Sequence, residues 1–196
     1  MSKPVVLLSV ADKTGLIQLG QSLSDLGWDL LASGGTARSL DGAGLAVHRV
    51  SDWTGFPEVL GGRVKTLHPR IHAAILARPT EEHMAELQGL DIRPIDMVVC
   101  NLYPFARTIA QEGVSIEEAV EQIDIGGVTL LRAAAKNFAR VTVVVDAGDY
   151  TGVLDELAQG SVSLETRQRL AVQAFAHTAT YDETIRDYLM GEFGRP

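Results

Sequence analysis

The sequence predicts an α/β protein with three αβα layers, built on a mainly parallel sheet of about five strands. Five short apolar runs suited to buried strands alternate with helical or loop sequence. They cover residues 4–10, 30–32, 46–50, 95–101 and 141–146. This alternation favours a parallel sheet with helices on both faces, and ligands of such sheets bind beyond the carboxyl ends of the strands.

Helix boundaries follow from residue spacing and capping residues. After the first apolar run, leucines recur every three or four positions and stop at Gly27, as in an amphipathic helix with a glycine end. Thr80 and the capping box that begins at Ser115 predict two further helix starts. Asp124 precedes a helical run that ends near Lys136, and a carboxylate there would cap the exposed N–H groups.

The longest helical pattern begins at Ser163. No Pro or Gly interrupts it for about 27 residues, which would span roughly 40 Å as one helix, more than the width of a domain of this size. One alternative is a break near Thr178, with the second half folded back on the core. We favour the other alternative, in which part of the helix contacts a second subunit or bridges to a downstream domain.

Composition narrows the classes of function. The chain has 196 residues, of which 46% are hydrophobic, and we expect one domain over 1–196, with 163–196 as a helical extension and tail. A net charge of −8 argues against a nucleic-acid surface. We expect no membrane span and a cytoplasmic location, because no apolar run approaches roughly 20 residues and no signal-peptide cleavage site follows the first run. The single cysteine, Cys100, excludes an internal disulfide.

Two strand ends carry the donors of an anion site. The segment 33–36, Ser-Gly-Gly-Thr, follows the second apolar run, and Lys13 follows the first. Because neighbouring parallel strands end at one edge of the sheet, we expect Lys13 and Thr36 to lie close together, where a helix N-terminus binds anions. The alternative is an ordinary tight turn with Thr36 as the N-cap. The P-loop and Rossmann glycine spacings are absent, so we expect no ATP and no NAD.

Basic residues alternate in the segment 61–66. In extended form Arg63 and Lys65 would point the same way, toward a shared anionic ligand. The alternative is two solvated charges in a loop. His68 and His72 are four residues apart, but Pro69 lies between them and the glutamate of HExxH is absent, so we expect no metal site.

The segments 100–105 and 122–137 carry further chemistry. Cys100 ends a strand among apolar neighbours, so we interpret it as a packed residue and not as a nucleophile. An acid, two glycines and a lysine within 122–137 indicate an active site, whereas the structural alternative is a capped helix with a surface lysine. Twelve residues of unbroken helix would separate Asp124 from Lys136 by roughly 18 Å. Either Lys136 reaches back, or the two residues act at different parts of the ligand.

Six segments of the sequence closely resemble one enzyme family. They are SVADKTGL, ASGGTA, TGFPEVLGGRVKTLHP, CNLYPF, EQIDIGGVTLLRAAAKN and QAFAHTATYD. They are similar to the IMP cyclohydrolase domain of the bifunctional purine-biosynthesis enzymes, over nearly the whole chain. The resemblance implies a methylglyoxal-synthase-like αβα fold. It also implies dehydrative closure of 5-formamidoimidazole-4-carboxamide ribonucleotide (FAICAR) to IMP, the last step of de novo purine biosynthesis, without metal or organic cofactor.

The resemblance also implies the residues of the site. The catalytic candidates are Lys65, Tyr103, Asp124 and Lys136. The candidates for the 5′-phosphate region are Lys13, Ser33, Gly34, Gly35 and Thr36. The candidates for the rest of the substrate are Ala11, Asp12, Arg63, Val64, Thr66, Cys100, Asn101, Ile125 and Gly126.

Two features depart from the family pattern. Ala11 stands where many relatives are expected to have a serine, which leaves only backbone contact there. Relatives usually continue into a formyltransferase domain, and we expect none within 1–196, so a separate formyltransferase would supply FAICAR. A homodimer is implied by resemblance alone. Two other functions stay open: a methylglyoxal-synthase-like lyase acting on a triose phosphate, and a noncatalytic nucleotide-sensing module of the same fold.

Overall fold

The protein is built on a single parallel sheet of five strands. A computed structural model describes residues 3–194. The strand order is β3-β2-β1-β4-β5, and every neighbouring pair is parallel. The strands are β1 (Val5–Val10), β2 (Asp29–Ala32), β3 (Val47–Arg49), β4 (Met97–Asn101) and β5 (Thr142–Val144). Each predicted apolar run coincides with one strand, with β2 beginning one residue earlier than its run, so the predicted fold class is confirmed.

Helices cover both faces of the sheet. They are α1 (Leu16–Asp25), α2 (Gly34–Gly42), α3 (Val50–Thr54), α4 (Pro69–Leu76), α5 (Glu81–Gly89), α6 (Phe105–Ile109), α7 (Ile116–Glu121), α8 (Gly126–Lys136), α9 (Tyr150–Ala158) and α10 (Leu164–Phe193). One layer contains α1, α2 and α9, which contact one another through α1, and the other contains α4, α8 and α10, which contact one another through α8. Since every strand except β3 is largely buried between these layers, polar residues collect at the strand ends.

Local capping chemistry fixes several helix ends. Gly27 follows α1 with a φ of 83°, and the Thr80 hydroxyl accepts the His83 N–H at 3.4 Å, as predicted. The predicted capping box at Ser115 is present at the start of α7. The sequence did not predict α4, in which His68 Nδ1 accepts the Arg70 N–H at 3.1 Å and a proline occupies the first turn.

The last helix, α10, runs without interruption for 30 residues, about 45 Å. The alternative of a break near Thr178 is therefore wrong. Thr178 is buried, and its hydroxyl donates to the Phe175 carbonyl at 3.1 Å within the helix. The helix packs on α8, β5 and α6. Within residues 3–194, none of the helices, α10 included, is long and apolar enough to cross a membrane.

The chain topology places a crevice between β1 and β4. After β1 the chain moves toward β2 and β3, and after β4 it moves the opposite way, toward β5. Loops that leave adjacent strand ends in opposite directions open a cleft between them, which is where parallel sheets bind ligands. The loops after β1, β2 and β4, together with the start of α8, therefore meet at this carboxyl-terminal edge of the sheet.

Candidate active site

The N-terminus of α2 presents backbone N–H donors at this edge, where Ser33, Gly34 and Gly35 are half-buried. Ser33 is extended, with a φ of −122°, and makes no capping hydrogen bond with its side chain. The first-turn N–H groups of α2 have no acceptor within the helix and carry the positive end of its dipole. Gly34 has a φ of 50°, which favours glycine.

Two lysine ammonium groups flank this helix N-terminus. A methyl group added at Gly35 would lie 3.7 Å from Lys13 Nζ, and one added at Gly34 would lie 2.9 Å from Lys65 Nζ. The two amines come from the loop after β1 and from the loop before α4, respectively. Two positive charges beside free N–H groups form an arrangement suited to a phosphate.

Thr36 supports this helix end and does not cap it. The structure assigns the N-cap to Ser33, so the alternative with Thr36 as N-cap is wrong. The Thr36 hydroxyl accepts the Val10 N–H and donates to the Val10 carbonyl, both at 3.1 Å, in a buried contact. This pair of hydrogen bonds fastens α2 to the end of β1 and brings Lys13 and Thr36 to the same edge, as predicted.

The segment 61–66 is not extended, so the prediction that Arg63 and Lys65 point the same way is wrong. Residues Leu60–Gly62 form a 3-10 turn in which Gly61 and Gly62 have φ values of 63° and 91°. The Arg63 guanidinium pairs with Glu121 of α7, whereas Lys65 folds over Gly62 toward α2. Of Arg63 and Lys65, Lys65 alone reaches the α2 N-terminus.

The residues beside Lys65 face α8. A methyl group added at Gly126 would lie 3.0 Å from the Thr66 hydroxyl, and Thr66 is itself buried. Val64 is half-buried, and its carbonyl accepts the Leu67 N–H at 2.7 Å. The loop before α4 therefore connects the start of α2 with the start of α8.

Asp124 caps the start of α8 and is the partly buried acid of the site. Its Oδ1 accepts the Gly127 N–H at 2.7 Å, as the sequence predicted for a capping carboxylate. Burial raises the pKa of Asp124, and hydrogen bonds from the N–H groups of Gly127 and Tyr103, together with the charge of Lys65, oppose that rise. The next residue, Ile125, is 57% exposed at the rim.

The loop after β1 is held by Asn101. Its Oδ1 accepts the N–H groups of Ala11 at 2.7 Å and Asp12 at 3.0 Å, and its Nδ2 donates to the Asp12 carbonyl at 2.9 Å. The Asp12 carboxylate accepts both the N–H and the hydroxyl of Thr14, and these hydrogen bonds lower the pKa of Asp12. Asn101 thus positions the loop that carries Lys13.

Cys100 is a packed residue, as predicted. It is 1% exposed, and its Sγ contacts the Gly127 carbonyl at 3.8 Å. Burial, with a smaller contribution from Asp124, raises the pKa of the thiol well above its usual range. A protonated thiol at this depth is not a nucleophile.

Lys136 does not join these residues within one chain. Because α8 begins at Gly126 and is unbroken to Lys136, its ends are about 15 Å apart. The neighbouring Asn137 donates to the carbonyls of Ile75 and Ala77 at the end of α4, near the amino-terminal edge of the sheet. Lys136 therefore does not reach back to Asp124.

A cavity of about 920 Å³ adjoins the site on the side of β4, β5 and α10. Its lining includes Asp12, Lys13 and Tyr103, which were predicted, and His177 and Tyr181 of α10, to which the sequence assigned no role. Lys65 and the segment 33–36 lie outside this lining. In the sequence, Tyr181 stood out only as part of the segment QAFAHTATYD, which resembles the enzyme family but assigned this residue no role.

Models of two protein families match the chain. The MGS-like domain matches residues 15–129, and the AICARFT/IMPCHase bienzyme family matches residues 134–195. The first match covers more than half of the chain, so the chain belongs to the family of MGS-like domains. The second match begins at the end of α8 and contains all of α10.

Relatives named bifunctional purine biosynthesis protein PurH are similar over nearly the whole chain. The protein of Chloroflexus aurantiacus is 59% identical over 187 residues, which are 95% of this chain and 36% of the relative. The protein of Acetivibrio thermocellus is 53% identical over 190 residues, which are 96% of this chain and 37% of the relative. The chain thus spans little more than a third of the length of these relatives.

A solved structure titled as the crystal structure of ForH has the same fold along its full length. Its TM-score with this chain is 0.84 at 38% sequence identity. The superposition covers 94% of this chain and 98% of ForH. A solved chain of about this length therefore has this fold.

Proposed function

We propose that the chain is an IMP cyclohydrolase that closes FAICAR into IMP, and that residues 1–196 act as one domain. The observation that supports this most is the placement of Lys13 and Lys65 beside the α2 N-terminus, with Lys65 also near Asp124, in a chain that is 53–59% identical to PurH proteins over the aligned residues. FAICAR would come from a formyltransferase. We place the reaction in the cytoplasm.

Binding begins with the phosphate in this proposal. The free N–H groups at the start of α2 and the Lys13 ammonium hold the 5′-phosphate, since they lie side by side at this helix end. A preformed donor set of this kind limits the motion of the nucleotide. Alignment of the reacting groups can account for about 7 to 11 kcal/mol of barrier lowering in favourable cases.

Ring closure requires proton removal and charge stabilisation. The carboxamide nitrogen attacks the formyl carbon and a C–N bond forms. The C–O bond then breaks, and the formyl oxygen leaves as water with one proton from the carboxamide nitrogen and one from the formamide nitrogen. In the proposed mechanism Asp124 accepts the carboxamide proton, and its raised pKa makes it a better base than an exposed carboxylate. Lys65 stabilises the oxygen that gains negative charge, and the half-exposed Tyr103 polarises the carboxamide.

The activity is tested by incubating the purified protein with synthetic FAICAR and following the ultraviolet change that accompanies IMP formation. We expect turnover with FAICAR and none with dihydroxyacetone phosphate. Release of methylglyoxal from the triose phosphate would favour the lyase alternative. Saturable IMP binding with no turnover would favour the sensing module.

Lys136 enters the proposal through a second copy of the chain. It lies in a groove of about 700 Å³ between α8 and α10, beside Val172, which is 71% exposed, and Phe175, which is 39% exposed. Exposed apolar side chains around a groove are a surface suited to subunit contact. We propose a homodimer in which this face is buried and Lys136 serves the site of the neighbouring subunit.

Subunit complementation tests this assignment. Lys65→Ala and Lys136→Ala are each expected to be inactive, but a mixture refolded together should regain about a quarter of wild-type activity. Half of the dimers would then be mixed, and each mixed dimer would hold one intact site. A mixture that stays inactive although the subunits exchange would contradict a shared site.

A further inference from the structure

Tyr181 is joined to the catalytic segment from the far end of the chain. Its hydroxyl accepts the N–H of Asp124 at 2.8 Å and donates to the Gln122 carbonyl at 3.3 Å. These contacts connect α10 to the segment before α8 across 57 and 59 residues of sequence. The Tyr181 side chain is 9% exposed, so water does not readily replace either hydrogen bond.

The ring of Tyr181 also supports the other segment that contacts Asp124. Its centroid lies 6.4 Å from that of Phe105 in an edge-on arrangement at 70°, and Phe105 is 1% exposed. Phe105 begins α6 two residues after Tyr103, whose N–H faces the Asp124 carboxylate. One side chain of α10 therefore contacts both segments that set the position of Asp124.

We propose that Tyr181 is a positioning residue that holds Asp124 in its reactive orientation, and that α10 is thereby a required part of the active site. The inference rests on the function proposed above. The Asp124 N–H is fixed by Tyr181, while its carboxylate is fixed by Gly127 and Tyr103. Loss of the phenol leaves a partly buried N–H without an acceptor and allows the segment to move.

The titratable side chains that face Asp124 come from three elements packed around it. They are Lys65 from the loop before α4, Cys100 from β4 and Tyr181 from α10. Burial raises the pKa values of both Cys100 and Tyr181, so these two groups stay neutral around neutral pH. A change in the acid limb of the rate profile that appears in a Tyr181 variant, and not in a control variant of α10, therefore reports on the segment of Asp124.

The test compares Tyr181→Phe with Tyr188→Phe. Tyr188 also stacks edge-on against Phe105, with centroids 5.6 Å apart, but its hydroxyl makes no hydrogen bond among the residues that the structure describes. Both variants remove one hydroxyl from α10 and keep the ring. The difference between them isolates the Tyr181–Asp124 hydrogen bond.

For Tyr181→Phe we expect kcat to fall about tenfold, equivalent to about 1.4 kcal/mol of barrier, with little change in KM. Solvent entry around a looser Asp124 should also move the acid limb of the kcat profile to lower pH. Tyr188→Phe should keep the wild-type kcat and pH profile. A wild-type kcat and pH profile in Tyr181→Phe would overturn the proposal. The proposal would also be overturned if kcat fell equally in both variants and in proportion to their loss of thermal stability.

Hydrogen exchange separates this inference from the proposed function. The Asp124 amide should exchange faster in Tyr181→Phe than in the wild type and Tyr188→Phe, whether or not FAICAR is a substrate. If the wild type shows no turnover but this difference in exchange is found, the proposed function fails and the positioning contact is supported. Equal exchange in all three proteins would overturn the positioning contact even where the wild type is active.

Discussion

At the amino-terminal edge of the sheet Arg140 lies beside Asp96, and at the carboxyl-terminal edge Lys65 lies near Asp124. In both places burial raises the pKa of the carboxyl group. The Arg140 guanidinium is nearly enclosed, with an 11% exposed side chain, and its donors are used. They reach Asp96 at 3.3 Å and the carbonyls of Ala74, Ile75, Ala77 and Ile95 at 2.6 to 3.1 Å.

At the carboxyl-terminal edge, the donors beside Asp124 are still available to a ligand. Lys65 makes no hydrogen bond or ion pair among residues 3–194, although it lies against Gly34 and Gly62. The nearby N–H groups of α2 are also without helical acceptors. Similar charges therefore have different roles at the two edges of the sheet. The donors of Arg140, which are hydrogen-bonded within the protein, stabilise the fold, whereas the donors near Lys65, which are not, can bind substrate.

Replacement of Lys65 should give the largest change in activity. Lys65→Ala is expected to lower kcat by about 10²- to 10³-fold, because it deletes charge stabilisation in the transition state. Its free energy of unfolding should change by no more than about 0.5 kcal/mol, since the ammonium holds no structural bond. Lys3→Ala is the control at the opposite edge, where the side chain is 68% exposed. Full activity in Lys65→Ala would place the reaction elsewhere.

Replacement of Arg140, whose donors are hydrogen-bonded within the protein, should lower stability and leave activity unchanged. Arg140→Ala is expected to cost about 3 kcal/mol, because it leaves Asp96 and several carbonyls without their partner. Urea unfolding measures this cost, and kcat per folded molecule should stay the same. Arg186→Ala, which breaks an exposed pair with Asp187, should cost less than about 0.5 kcal/mol. If kcat of Arg140→Ala fell by more than the loss of folded protein explains, the amino-terminal edge would also contribute to activity, and the distinction between a stabilising edge and a binding edge would be wrong.

A methyl group at Gly127 should disturb Asp124 directly. The added atom would lie 2.6 Å from Asp124 Oδ2 and 2.7 Å from Leu102 Cδ2, so the carboxylate must move. We expect Gly127→Ala to cost about 1–2 kcal/mol in stability and to lower kcat by up to about 10²-fold. Gly152→Ala in α9, where the methyl group meets no atom within 4 Å, should be neutral or stabilising. Equal kinetics in both variants would contradict tight placement of Asp124.

The smallest effect is expected in the pH dependence of stability. A carboxyl group whose pKa is raised by folding contributes stability that is present below its unfolded pKa and is lost as the pH rises through the folded pKa. The stability of Asp124→Asn relative to the wild type should therefore increase as the pH rises above about 4, the ordinary pKa of an Asp carboxyl. Asp96→Asn leaves Arg140 unpaired and should be destabilised throughout. Urea titrations in buffers of increasing pH measure this trend. A fall in the relative stability of Asp124→Asn with rising pH would contradict it.

Local signals explain why the sheet and several helix ends could be predicted from the sequence. Apolar runs, the Ser115 capping box and the glycine after α1 act within a few residues of the elements that they define. The closeness of Lys13 and Thr36 also followed, because β1 and β2 are parallel neighbours. The capping role of Asp124 required only its position before α8.

Long-range and glycine-dependent features could not be predicted. The positive φ values of Gly61 and Gly62 turn the chain away from the extended form expected there. Arg63 pairs with Glu121, 58 positions away, and this partner leaves no mark on the sequence near Arg63. The contact of Tyr181 with Asp124 arises only when α10 is packed on the sheet.

The central claim is that a nucleotide binds where the α2 N-terminus, Lys13, Lys65 and Asp124 meet. A crystal structure of the protein with bound IMP tests it most directly. We expect the phosphate against the N–H groups of Gly34 and Gly35, with the purine ring directed toward Asp124. A nucleotide bound elsewhere, with no contact to the α2 N-terminus, would contradict the account.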